Sequence, residues 1–198
     1  MGCFPGIPKE SKLRKLRGTV EVTVKERKIG FTPTYDIEAP GATYNAHKAF
    51  FAINDHLEIT HGEQVVAAIE GLFSPLRDKH EFQLADGRTY QYERKQLWKP
   101  VDTCEGNGES YTIYEHKGLK CSVFRQDRQI AAFEKNRVVW GNGNEYQIQM
   151  DSDADLIVIL CIVLTINSGD DQNDETVTID FGNIGPEARP FDERWEPR

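Results

Sequence analysis

The sequence predicts a mainly β domain, an antiparallel meander closed into a barrel or paired as a sandwich, with one wholly apolar segment in its core. Three observations carry this. Short strand-like runs recur from Ala49 onward, split by turn residues such as Asp86-Gly87. The intervals between them are too short for crossover helices, so neighbouring strands run antiparallel. One segment, Leu156–Ile166, is apolar on every side.

Residues 1–18 read as an arm, punctuated by Pro5, Gly6, Pro8 and Gly18 and without a sustained apolar period. Residues 30–47, rich in Pro, Gly, Thr and Tyr, read as loop and edge structure. The clearest hairpin is Glu81–Glu93. Phe82, Leu84, Tyr90 and Tyr92 alternate with polar neighbours around Asp86-Gly87, which supplies the positive φ that a tight turn needs. A second hairpin spans Tyr111–Arg125 with its turn at His116-Lys117-Gly118. Gln126-Asp127-Arg128 then leads into Gln129–Lys135, and Gly141 to Asn144 separates Arg137–Trp140 from Glu145–Met150. Beyond the apolar run come an acidic turn (Asp170 to Glu175), a short strand Thr176–Phe181 and a Pro-bearing tail, 183–198.

The apolar run admits two core readings on pattern alone. Its β-branched content suits a buried central strand. Its ends suit a buried helix, with Ser152 and Asp155 spaced as a capping box and Gly169 where helices commonly stop. A membrane span needs about 20 apolar residues; this run is half that and is bounded by Asp151, Asp153, Asp155, Asp170 and Asp171. No transmembrane span is expected.

Composition narrows function more by exclusion than by indication. The chain has 198 residues, enough for one domain with a substantial core, and a net charge of −8 that argues against nucleic acid. The charge is uneven. Residues 1–30 carry eight Lys/Arg against Glu10, Glu21 and Glu26, a net +5 that leaves −13 on the rest. Cys3, Cys104, Cys121 and Cys161 form no C-x-x-C pair and no zinc spacing, and with no secretory leader in view they are expected as reduced thiols in the cytoplasm. Asp151-x-Asp153-x-Asp155 fails as a calcium loop, since Leu156 and Ile162 stand at its Gly and Glu positions. Acidic groups at a helix start are the plainer account. His47, His56, His61, His80 and His116 make no metalloprotease motif, and no Ser sits in G-x-S-x-G. Gly106-Asn107-Gly108 is turn chemistry. No catalytic residue, metal or cofactor is assigned.

The order of parts resembles the LURP-one-related proteins. A strand Tyr146-Gln-Ile-Gln-Met, followed by the Asp-initiated run through Leu160-Cys161-Ile162-Val163-Leu164, is similar to that family's terminal strand and helix. Tubby C-terminal domains and phospholipid scramblases share the architecture. The resemblance implies a closed antiparallel β-barrel of about twelve strands around a central C-terminal helix, about 153–167, with Leu156, Ile159, Leu160 and Val163 in the core. It implies a single barrel domain over 19–182, between the arm 1–18 and the tail 183–198. A barrel that wide leaves a lumen its own side chains do not fill, and an all-round apolar helix needs burial on every face.

The sharpest functional cue is Met1-Gly2-Cys3. Gly2 can take a myristoyl chain and Cys3 a second acyl group, although Gly6 stands where Ser or Thr is usual. One chain binds a membrane only marginally, and Lys12, Arg14, Lys15 and Arg17 supply the polybasic supplement. Arg94 and Lys95, after a strand, are candidates to meet a lipid headgroup, as tubby-like domains meet phosphoinositides. The expectation is a non-catalytic, peripheral module on the inner face of a membrane, bound to anionic lipid or a membrane-bound protein. The alternatives are a soluble protein-interaction or structural domain, or a scramblase-like lipid function.

Overall fold

The computed structural model describes residues 19–29, 32–48, 56–74, 79–96, 101–137, 143–171 and 188–198. Twelve strands form one closed antiparallel barrel. In chain order they are β1 (Thr19–Ile29), β2 (Thr32–Ala39), β3 (Ala42–Lys48), β4 (His56–His61), β5 (Gln64–Leu72) and β6 (Lys79–Leu84). Then come β7 (Thr89–Gln96), β8 (Val101–Gly106), β9 (Glu109–His116), β10 (Lys120–Arg125), β11 (Arg128–Arg137) and β12 (Asn144–Asp151). Each strand pairs with its neighbour in sequence, and β1 closes on β12, Thr19 opposite Asp151 and Val24 opposite Tyr146. Closure leaves no free edge.

The alternation read in β6 and β7 holds. Phe82, Leu84, Tyr90 and Tyr92 are all buried, Phe82 lies opposite Tyr90, and Gly87 takes a positive φ in the turn. Between β8 and β9, Gly106 pairs with Glu109, so Asn107-Gly108 is a two-residue turn with both φ angles positive. Asn and Gly tolerate that conformation best, and its twist matches the strands it joins. Gly106 serves a different need: a Cβ there would collide with the Thr89 carbonyl oxygen.

Three expectations are corrected. Residues 32–39 and 42–48 are strands, not loop and edge, because Tyr35, Ile37 and Ala46 turn inward and Gly41 at positive φ makes the turn between them. The apolar helix α1 runs Leu156–Asp171, three residues later at its start than expected and continuing through Gly169. Ser152 does not cap it. Asp155 does: its Oδ1 accepts from the N–H groups of Ile157 (3.0 Å) and Val158 (3.3 Å), while the Ser152 hydroxyl turns away to the Arg198 carbonyl. The Thr176–Phe181 strand lies outside the described residues.

The helix threads the barrel. Val158 to Leu164 are each 0% exposed, and successive residues point 100° apart, so the helix is enclosed on every side. Fully burying each aliphatic side chain contributes about 1.5–3 kcal/mol. Thr165 and Asn167, polar residues of the helix that go inside, are hydrogen-bonded there. The Thr165 hydroxyl donates to the Cys161 carbonyl at 2.8 Å, and the Asn167 amide donates to the Tyr35 hydroxyl at 2.8 Å and accepts from that of Tyr146. The helix enters at the end holding the β6–β7, β8–β9 and β10–β11 turns (the proximal end) and runs toward the opposite, distal end, where Asn167 meets Tyr35 of β2 and Tyr146 of β12.

Replacing Ile159 or Val163 with Asp should abolish cooperative unfolding, because a buried unpaired charge costs several kcal/mol against a total of about 5–15. Circular dichroism melts of soluble protein check this; a wild-type melt would disprove the enclosed helix. Asp155→Ala should lower stability by about 1–2 kcal/mol in urea titration, through loss of the cap.

Candidate functional site

With α1 enclosed in the lumen, the charged groups described below lie on the rims and the outer wall. The proximal rim is a network of arginines and carboxylates. The three aspartates before the helix have separate tasks. Asp155 caps α1 and pairs with Arg88 (Nη1 to Oδ2, 2.6 Å), and Arg88 also holds Asp86 in the β6–β7 turn at 2.7 Å. Asp153 takes Arg125 and Arg128, each at 2.6 Å, and Asp151, buried, accepts from the Arg198 backbone N–H at 2.7 Å. Hydrogen bonding from Arg128 holds the Asp153 carboxyl below its ordinary range, and the bonds to Asp155 and Asp86 raise Arg88. Inside this rim, Glu109 Oε2 accepts from the hydroxyls of Tyr90 and Tyr111, each at 2.9 Å.

The tail is part of this architecture. Residues 188–198 lie against the outer wall over β9–β11. Arg189 sits over the Phe124 ring at 4.0 Å, and Phe191 meets His116 edge-on at 5.1 Å. Lys120 pairs with Glu193 at 2.9 Å, and the Arg198 carbonyl accepts from the Ser152 N–H at 2.9 Å. This cover explains why Cys121 to Phe124 are buried at four successive positions, since alternate ones face outward. Nothing in the tail's composition signalled the docking; Phe191 and Trp195 in a Pro-bearing stretch were the faint cue. Between the tail and the β10–β11 turn lies a cleft of about 260 Å³, lined by Phe124, Gln129 and Trp195 together with arginines.

At the distal rim, Arg94 is held between Asp102 (3.2 Å) and Glu115 (2.6 Å), with Tyr92 donating to Asp102. Burial disfavours the Arg94 charge, but Glu115 and Asp102 outweigh it and raise the group overall. Arg94 is thus engaged within the rim, and the Lys95 side chain lies outside the described residues.

Of the residues expected to carry function, Gly2, Cys3, Lys12, Arg14, Lys15 and Arg17 lie outside the described residues. The arm joins the barrel at Thr19, on the proximal rim opposite Asp151. The core set is brought together: Ile159, Leu160 and Val163 are fully buried, and Leu156 packs partly buried against the same cluster. Cys104, Cys121 and Cys161 are buried, and burial pushes the Cys104 and Cys161 thiols well up. Among the described residues no helix is long and apolar enough to cross a membrane, and no group of His, Cys, Asp and Glu is arranged to hold a metal. No family description, no curated protein and no solved structure matches the chain.

Burial, with Glu109 beside it, pushes Tyr90 up to about 12, and burial likewise raises Tyr92 and Tyr111. A raised folded value means stability fully present below the unfolded tyrosine value of about 10 and lost as pH rises beyond it. Alkaline titration followed at 295 nm should therefore show these tyrosinates appearing with loss of the β circular dichroism signal. Their smooth ionisation in a folded barrel would contradict the enclosure.

Proposed function

We propose that the chain is a non-catalytic module of the tubby C-terminal-like, LURP-one-related type, held at an anionic membrane surface or a membrane-bound partner through its basic arm. The observation that carries this reading is the helix in the lumen: Val158 to Leu164 are fully buried and occupy the space that a substrate or cargo would need. The barrel's own cations are largely spent internally: Lys25, Arg27, Arg88, Arg94, Arg125 and Arg128 each have a carboxylate partner. Lys12, Arg14, Lys15 and Arg17 then supply the attraction, at about 1 kcal/mol each near an anionic leaflet, with acylation at Gly2 and Cys3 adding to it. High thiol values at Cys104 and Cys161 support the non-catalytic part, since the thiolate is the nucleophile. A scramblase-like role through α1 would require the lumen to be emptied first.

A second reading, a protein-interaction domain, is favoured by Phe73, 93% exposed just beyond β5. The two separate by experiment. Deleting residues 1–18 should abolish pelleting with phosphatidylserine vesicles while the thermal melt stays unchanged, and intact mass from native cells should show Gly2 acylated. Undiminished pelleting would reject the arm as the anchor. If Phe73→Ser instead released a bound protein, the interaction reading would replace it.

A further inference from the structure

The cleft between tail and barrel has the makings of a ligand site, and three observations point the same way. Gln129 is 8% exposed, and its side-chain Nε2 has no hydrogen-bond acceptor among the described residues although it lines the cleft. A buried donor left unmade costs about 1–3 kcal/mol. Next to it, Arg189 and Arg198 line the cleft without a carboxylate partner among the described residues, whereas Arg88, Arg94, Arg125 and Arg128 each have one. Finally, Arg189 is stacked on Phe124, which fixes its guanidinium and leaves the in-plane N–H groups to form a fork for two acceptor oxygens.

We infer that this cleft binds a small oxyanion, with a phosphate group as the matching chemistry. Phosphate oxygens accept from both free arginines and the Gln129 amide together. Arg128 adds a third cation, its charge already met by Asp153. Asp127 and Asp192 are the acidic members of the lining, and Asp192 is engaged by the Arg194 backbone N–H at 2.9 Å. A volume of about 260 Å³ holds a phosphate and a few further atoms, below the usual span of about 300–1,000 Å³ for larger ligands. Trp195 offers the flat wall against which a small organic part would rest. This site is independent of the arm, so either proposal can fail alone.

The first titration uses the full chain in solution without vesicles. Inorganic phosphate is titrated at constant ionic strength while the Trp195 indole N–H and Gln129 amide signals are followed by NMR, with sodium chloride as reference. Saturable shifts at both signals are expected, weakened about tenfold or more by Arg189→Gln. Arg198→Gln serves as the second variant, and the unchanged Ser152 amide signal reports that the tail stays docked. Shifts that match chloride, or that both variants leave intact, would overturn the site. Competition by glycerol 3-phosphate would identify a soluble phosphate ester as the source. Competition by phosphatidic acid vesicles alone would identify a lipid headgroup.

Discussion

The structure depends on a mutual enclosure. A twelve-stranded barrel has a lumen wider than its own inward side chains fill, and α1 is a segment that water tolerates on no face. A helix is well suited to the role because its backbone groups bond within the segment and bring no unmet donors into the lumen. The free N–H groups at the start are met locally by Asp155. Remove either partner and the other loses its reason to be folded.

The same enclosure orders the polar residues. Tyr35, Tyr90, Tyr92, Tyr111 and Tyr146 are almost wholly buried, and each has an apolar ring to fill space and a hydroxyl that reaches Glu109, Asp102 or Asn167. Of the carboxylates they reach, Asp102 pairs with Arg94 and Glu109 lies near Arg125. The proximal rim joins the helix start, two hairpin turns and the docked tail through Arg88, Arg125, Arg128 and Asp151. It is one connected patch rather than a set of separate surface ion pairs.

Much of this was legible in the sequence because it rests on local chemistry. Asp86-Gly87 and Asn107-Gly108 specify their turns through φ alone, and Phe82 to Tyr92 alternates with the pleat. The apolar run declared itself as core, although choosing helix over strand took the likeness to a known architecture. The strands β2 and β3 were obscured because Pro33, Pro40 and Gly41 dominate the impression of the segment; Thr34, Tyr35, Ile37 and Tyr44 are good strand formers. The capping residue was misplaced by three positions, since Ser152 and Asp155 both fit a cap and only the fold shows which faces the helix. Tail docking and the cleft were illegible: single contacts such as Arg189 on Phe124 join residues far apart and leave no period.

The pairing of β1 with β12 has a consequence for how the chain is made. Thr19 is among the first residues of the barrel to leave the ribosome, yet its partner Asp151 and the helix that enters the lumen follow more than a hundred residues later. Until then the nascent chain is an open sheet with two unpaired edges and an uncovered apolar face, the kind of species that associates with its own copies. Closure also joins residues at nearly the greatest separation the domain allows, which slows folding. Survival during synthesis is thus a separate demand from stability once folded, and the growing chain's need for chaperone cover is set by the barrel's topology.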